Sequence, residues 1–241
     1  GHEVKLLVRD PRRIYPALNP LGIHKIECTV GSVTNTKSVE EVLKGCDALI
    51  HCASVYSLDP RFGDVIRKTN TSGTKLVLDA AHRRKMDPIV HVSSFAALIG
   101  EKGKVLNPSS LPSHPKTVYP QSKADSDRIA RAYQQSGAPV VITYPGAVWG
   151  PHDPHIGESS MMIKHLLRGF WTLLPNATIP NSDVRDVAKL HAALLEKGQG
   201  PRRYMSPSQN ASLRAMGTAI SRVTGRRLLF ITLPSKAFTW P

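Results

Sequence analysis

Tyr119 and Lys123 stand four residues apart in the run Tyr119-Pro120-Gln121-Ser122-Lys123. On a helix that spacing puts two side chains on one face, with roughly 5–6 Å between their Cβ atoms. A free phenol titrates at about pH 10, so at neutral pH it moves protons poorly unless a nearby cation favours the phenolate. Lys123 is placed to be that cation. Ser94 lies upstream, just beyond the apolar run Ile89-Val90-His91-Val92. A hydroxyl at the end of a buried strand can hold a substrate oxygen beside the phenol. The three side chains together describe proton transfer to or from a carbonyl or an alcohol. A lone Tyr-x-x-x-Lys pair also fits an ordinary helix surface, so its weight comes from the surrounding segments.

The elements that must position these groups follow from hydrophobic periodicity. Glu3 to Val8 reads as a buried parallel strand, and His24 to Val30, Ala48 to His51, Ile89 to Val92 and Val140 to Thr143 read as further strands. Val39 to Lys44, Phe62 to Lys85 and Val118 to Gln135 read as helices, the second with Phe62, Val65, Ile66, Thr69, Gly73, Leu76, Val77 and Ala80 on one stripe. Strands alternating with helices imply an α/β fold with a doubly wound parallel sheet. Such sheets bind ligands outside the carboxyl ends of their strands, and Ser94 and His51-Cys52-Ala53 fall at such ends. After Gly150-Pro151 the rhythm changes to Pro, His and short apolar segments up to about Pro180. Asp183 to Ala188 then opens a helix that returns to the sheet domain. Tyr204-Met205, a helix from Ser212 to Thr224 and a strand from Leu228 to Thr232 make a small C-terminal lobe. The sheet domain thus takes residues 1–148 and 181–198, and the lobe takes 149–180 and 199–241.

Composition narrows the function classes. The chain of 241 residues is 41% hydrophobic and 21% charged, which suits a soluble globular protein with a sizeable core. It shows no run of 18 apolar residues and no signal peptide, so no membrane association is expected. The net charge of +14 raises nucleic acid as a partner. The basic residues, however, come in scattered groups (Arg12-Arg13, Arg83-Arg84-Lys85, Arg202-Arg203, Arg226-Arg227) without interleaved aromatics or a zinc-finger or RNP-type motif. No specific nucleic-acid partner is expected, and an anionic cofactor or substrate accounts for part of the charge. Cys28, Cys46 and Cys52 are odd in number and lack metal-ligand spacing, which reads as reduced thiols in a cytoplasmic protein. Pro151-His152-Asp153-Pro154-His155 offers metal-ligand types, but its prolines break any helix that would align them, so it reads as a substrate-cleft loop and no metal is expected.

Taken together, these segments resemble the extended short-chain dehydrogenase/reductase family, part of the NAD-dependent epimerase/dehydratase superfamily. Within it they look most like the branch of dihydroflavonol reductases, cinnamoyl-CoA reductases and 3β-hydroxysteroid dehydrogenases. The resemblance runs from Gly1 to about Leu233 and implies a Rossmann-like fold in which Ser94, Tyr119 and Lys123 are catalytic. Ile50-His51-Cys52-Ala53-Ser54 resembles the strand end that flanks the nicotinamide, which implies cofactor contacts from His51, Cys52 and Ala53. Asn70-Thr71-Ser72-Gly73-Thr74 resembles an Asn-x-x-Gly-Thr segment whose Asn supports the active-site backbone. Gly73 inside a helix costs about 1 kcal/mol relative to Ala, and close helix–sheet packing would explain it. Tyr144 to Pro151 resembles the Arg-Pro-x-x-x-Tyr-Gly-Pro turn lining the nicotinamide pocket, so Pro145 and Val148 join the cofactor set. Tyr144 replaces the Arg of that turn and puts its anion contact in doubt. Gly31-Ser32-Val33 resembles a Gly-Asp-Leu segment at the adenine, with Ser32 in place of the Asp.

Cofactor choice turns on the end of the first strand. Relatives that use NAD carry a carboxylate there for the ribose hydroxyls, whereas this chain has Val8 followed by Arg9. A guanidinium matches a 2′-phosphate in charge and bidentate geometry, which points to NADP, with NAD as the alternative. Arg12 or Arg13 would add a second contact, and an Arg9–Asp10 surface pair is the competing reading. The family's Thr-Gly-x-x-Gly-x-x-Gly turn has no counterpart here, because Gly198-Gln199-Gly200 lacks a third glycine and Gly100-Glu101-Lys102-Gly103 follows Ser94. The resemblance therefore implies that the first strand and this turn lie upstream of Gly1, and Trp240-Pro241 reads as a second truncation.

The leading expectation is an NADP-dependent oxidoreductase that interconverts a small ketone or aldehyde and its alcohol. Residues 1–241 by themselves are expected to bind NADP weakly or not at all, and inactivity of this stretch on its own is a further reading. A nucleotide-sugar epimerase or dehydratase of the same superfamily is the runner-up, and a non-catalytic dinucleotide sensor is the third. The partner expected is a small carbonyl or alcohol substrate, and a homodimer is left open.

Overall fold

The computed structural model describes residues 1–57, 59–100, 103–153, 156–168 and 171–234. The chain divides into two compact units, Gly1–Pro145 with Ala188–Ser206, and Gly146–Val187 with Pro207–Pro241. In chain order the elements begin with β1 (Lys5–Val8), α1 (Ile14–Leu18), β2 (Glu27–Val30), α2 (Thr36–Val42), β3 (Leu49–His51), α3 (Gly63–Arg67), α4 (Thr74–Arg83), β4 (Ile89–Val92), α5 (Val118–Gln135) and β5 (Val140–Tyr144). They continue with β6 (Ala147–Trp149), α6 (Glu158–Arg168), β7 (Trp171–Pro175), β8 (Thr178–Asp183), α7 (Val184–Ala193), β9 (Arg202–Met205), β10 (Gln209–Ser212), α8 (Leu213–Thr224) and β11 (Leu229–Leu233).

The first unit is an α/β structure with parallel sheets. β3, β4, β5 and β9 form one four-stranded sheet in that order, parallel throughout. Side-chain alternation sends Ile89, Val140 and Ile142 to one face, where they pack with Val39 and Val42 of α2, Leu78 of α4 and Ala130 of α5. Val90 and Val141 point to the other face and meet Leu190 of α7 together with Leu194 and Leu195. Both faces are covered, which is why these strands are continuous apolar runs in the sequence. Each fully buried aliphatic side chain contributes about 1.5–3 kcal/mol, so this layer anchors the strand ends where the predicted site lies. β9, which the sequence placed in the lobe, pairs with β5, Tyr204 opposite Thr143.

β1 and β2 form a separate parallel pair, Lys5 opposite Glu27. The expectation of a buried first strand is corrected: β1 is half-buried and Val4 is exposed, since among the described residues β1 has a strand neighbour on one side only. The expected helix from Phe62 to Lys85 runs without a break from Gly63 to Arg83, but it is not α-helical throughout. A 3-10 turn (Pro60–Phe62) leads into α3, then a π-helical segment (Lys68–Gly73), then α4. A Cβ on Gly73 would lie 2.9 Å from Val33 Cγ2, so the glycine permits close packing against the segment after β2. α1 was not expected; Pro11, Pro16 and Pro20 obscure its periodicity.

In the second unit β8 runs parallel to β6 and antiparallel to β10, and β11 pairs in parallel with β7. Leu166 of α6, Leu174 of β7 and Leu213 of α8 are its buried centre. Gly146 begins the unit. A Cβ there would sit 2.4 Å from the Pro180 carbonyl oxygen, so only glycine lets the turn after β5 approach β8 this closely.

Candidate functional site

α5 starts at Val118 from an extended Thr117, with Pro120 in the first turn, where a missing N–H costs nothing. Tyr119 and Lys123 follow each other one turn apart. Lys123 is buried, and its Nζ donates to the carbonyl of Val92, the last residue of β4, at 3.0 Å. Burial lowers the Lys123 pKa to about 8, against the pull of Asp127 and Cys52, which act to raise it. Tyr119 is half-buried. Burial first, and then Tyr56, push its phenol up to about 12, while a side-chain hydrogen bond with Ser94 pulls it back. The Tyr56 ring lies 4.4 Å from the Tyr119 ring, centroid to centroid. The expected lowering of the Tyr119 pKa is thus corrected: desolvation wins, and the Lys123 ammonium is directed at the Val92 carbonyl. A phenol held protonated is suited to donate a proton.

Ser94 lies two residues beyond β4 in an extended conformation, and its Oγ accepts from the Ala96 N–H at 3.1 Å. Its neighbours are tied to β5: Ser93 N donates to Thr143 O at 2.9 Å and Phe95 N to Pro145 O at 3.0 Å. Ser93 turns the other way, and its Oγ donates to Asp127 Oδ2 on α5 at 2.8 Å. Asp127 also accepts from Arg131 Nε at 2.6 Å and from the Tyr144 hydroxyl at 3.4 Å, and Arg131 Nη2 donates to the Tyr144 oxygen at 2.8 Å. Tyr144 is 1% exposed. The substitution of Tyr for Arg at this position therefore serves a buried network under the sheet end.

His51 closes β3. It is buried, bonded through Nε2 to Thr74 Oγ1 at 3.0 Å and stacked on His91, with ring centroids 5.7 Å apart. Burial, then Lys123, lower its pKa to about 3, so the ring is neutral. His91 is also buried and held well below its ordinary pKa by burial, His51 and Lys123. Asn70, in the π-helical segment, exchanges hydrogen bonds with Val55 (Val55 N to Oδ1 at 2.7 Å, Nδ2 to Val55 O at 2.9 Å) and donates to Ser122 Oγ at 3.0 Å. Ser122 in turn donates to the Tyr119 carbonyl at 2.7 Å. Ser94, Tyr119, Lys123, His51 and Asn70 therefore belong to one connected cluster.

The other predicted residues are more scattered. Cys52 and Ala53 follow His51 and are exposed. Arg9 is exposed beyond β1, and no hydrogen bond or ion pair joins it to a neighbour among the described residues. Asp10 is held instead by Arg12, with Nε to Oδ1 at 2.9 Å and Nη2 to Oδ2 at 3.0 Å, and by Arg13 at 3.8 Å. Ser32 Oγ lies 2.9 Å from Thr34 Oγ1 and accepts from Thr34 N, which stabilises the turn beyond β2, and Val33 packs on Gly73. Pro145 is buried at the end of β5. Val148 is half-buried on β6 in the second unit, opposite Ser182. In the same unit, Asp153 Oδ2 accepts from Gly157 N at 2.9 Å and from Ser160 Oγ at 2.5 Å. Pro154, His155, Glu101, Lys102, Trp240 and Pro241 lie outside the described residues. A groove of about 560 Å³ between α8 and β11, lined by Arg214, Arg222, Arg226 and Phe230 among others, contains none of the predicted site residues.

Sequence reasoning missed Tyr56, Ser93, Asp127 and Arg131. The one available signal was the four-residue spacing of Lys123, Asp127 and Arg131, which repeats a charge along one face of α5. Among the described residues no helix is long and apolar enough to cross a membrane.

A family model described as NAD dependent epimerase/dehydratase family matches residues 1–205. The chain is 29% identical over 233 residues to a protein of Synechocystis sp. provisionally named dihydroflavonol 4-reductase, covering 93% of this chain and 66% of that protein. It is 25% identical over 219 residues to cinnamoyl-CoA reductase 1 of Arabidopsis thaliana, covering 85% of this chain and 63% of that one. The chain thus spans about two thirds of the length of these relatives. Among solved structures, the dTDP-glucose 4,6-dehydratase of Streptomyces venezuelae with NAD bound superposes with a TM-score of 0.79 at 23% identity, over 95% of this chain and 75% of that one. At that identity the likeness shows the fold, a Rossmann-like α/β architecture.

Proposed function

The chain belongs to the NAD dependent epimerase/dehydratase family, and on that premise we propose that it is an NADP-dependent oxidoreductase interconverting a small ketone or aldehyde with its alcohol. The observation that carries this reading is the side-chain pairing of Tyr119 with Ser94, one helical turn from the buried Lys123. The residues suit a nicotinamide dinucleotide by the chemistry of their donors. Arg9 offers an exposed guanidinium for a 2′-phosphate, Ser32 and Val33 flank the adenine side, and Cys52 and Ala53 are exposed beyond β3. Lys123 and Tyr119 supply an ammonium and a hydroxyl for ribose oxygens. Pro145 is assigned to the nicotinamide pocket, and Asn70 supports the backbone at Val55 and the first turn of α5. When bound, the cofactor supplies or accepts hydride at the carbonyl carbon.

In the reducing direction Ser94 Oγ holds the carbonyl oxygen by a hydrogen bond, and Tyr119 donates its proton to that oxygen. The hydrogen bond with Ser94 is the contact that favours the phenolate that remains. In the oxidising direction the same groups act in reverse, and the high Tyr119 pKa makes proton removal the harder half. Burial keeps water from competing for the phenol. A cytoplasmic location fits the three free thiols. Nucleotide-sugar epimerisation or dehydration is the second reading, supported by 32% identity over 143 residues to the dTDP-glucose 4,6-dehydratase of Streptomyces antibioticus. The test is NADPH oxidation with a panel of ketones and aldehydes, set against turnover of nucleotide sugars without net cofactor change. Carbonyl-dependent oxidation that is absent from Tyr119→Phe supports the reductase, and nucleotide-sugar turnover alone overturns it.

A further inference from the structure

We infer that Asp127 is a positioning residue for the Ser94–Tyr119–Lys123 site, one that keeps the buried Lys123 ammonium charged and ties the β4 end to α5. The inference rests on the proposed roles of those three residues. Its geometry does not: Asp127 is 0% exposed and Lys123 5%, and they stand one turn apart on α5. A buried ammonium favours losing its proton. Among the groups around Lys123, His51 on β3 and His91 on β4 are neutral rings that offer no negative charge. Tyr119 on α5 stays protonated, and Cys52 lies beyond β3. Asp127 is the carboxylate in this shell, and its pull on Lys123 is upward.

The charge of Asp127 is held in place from three sides, by Ser93, Arg131 and Tyr144. Arg131 does not cancel its effect on Lys123. Along the helix axis Arg131 is about 12 Å from Lys123 and Asp127 about 6 Å, so the nearer negative charge dominates. The Ser93 bond adds a mechanical role. It fixes the residue before Ser94 to the same helix that carries Tyr119 and Lys123, so that the hydroxyl, the phenol and the ammonium keep one register.

The test reads the Lys123 titration directly, from the Cε chemical shift of carbon-labelled lysine against pH, with Lys123→Arg assigning the signal. In the unmodified protein the midpoint is expected at about 8. Asp127→Asn, which keeps the side-chain shape, should lower it by about one pH unit or more, and Arg131→Gln should raise it. Opposite shifts from two neighbouring residues are not produced by loosened packing. Should Asp127→Asn not fold, Asp127→Asn combined with Arg131→Gln leaves no orphaned cation and carries the comparison, again with a lowered midpoint. A Lys123 midpoint unchanged in a folded Asp127 variant overturns the inference. The proposed reaction fails separately, through undiminished turnover by Tyr119→Phe.

Discussion

Asn70 Nδ2 lies 3.0 Å from Ser122 Oγ and joins the π-helical segment to the first turns of α5. The same amide closes two further bonds with the Val55 backbone. One side chain therefore sets the loop after β3 and the helix that carries Tyr119. Asn70→Ala would leave a buried donor and acceptor unsatisfied, at about 1–3 kcal/mol for each group. We expect a loss of about 2–4 kcal/mol in urea unfolding, and turnover reduced more than cofactor affinity. Unchanged stability would remove Asn70 from the support of the site.

Tyr119→Phe keeps the ring packed against Tyr56 and deletes only the hydroxyl. General-acid contributions are about 10²–10⁴-fold, so turnover should fall at least a hundredfold while cofactor titration changes little. Near-native turnover would rule out Tyr119 as the proton donor.

Arg9 differs from Arg12 and Arg13, whose guanidiniums are engaged by Asp10. A charge-assisted bond to a phosphate is worth on the order of 1.5–3 kcal/mol. Arg9→Ala should therefore weaken NADP by about tenfold or more and leave NAD unaffected. Calorimetric titration of both cofactors decides it, and equal affinity of the unmodified protein for the two refutes the preference.

Much of the first unit is legible in the sequence because its strands are buried on both faces. Ile89-Val90 and Val140-Val141-Ile142 have no polar alternation to confuse with a helix, and their ends place Ser94 beside α5. The π-helical segment around Asn70 was not legible, since its apolar stripe has ordinary helical spacing. Asp127 was hidden for a similar reason: charges four apart on a helix fit a solvated face as well as a buried one, and Lys123, Asp127 and Arg131 are buried in the fold. In the second unit, Thr178-Ile179-Pro180-Asn181 forms a half-buried strand with a proline inside it, a pattern that local periodicity reads as loop.

His51 and His91 make stability depend on pH in a window where few other groups act. Their folded pKa values lie below the ordinary value of about 6.5, at about 3 for His51 and in the same direction for His91. The unfolded chain therefore binds more protons as pH falls. Stability from the two neutral rings is whole above about pH 6.5 and is lost progressively on acidification toward the folded values. At about pH 5 the His51 ring costs roughly 2 kcal/mol relative to about pH 7.5, and His91 acts in the same direction. The carboxylates with lowered pKa, such as Glu40 beside Arg83 and Arg84, lose their contribution only at lower pH. Urea unfolding at these two pH values should show a loss of at least about 2 kcal/mol in the unmodified protein. His91→Leu should make that loss smaller, since no hydrogen bond holds either ring nitrogen of His91 among the described residues. Equal stability at the two pH values would show that one or both rings take up a proton within the folded protein.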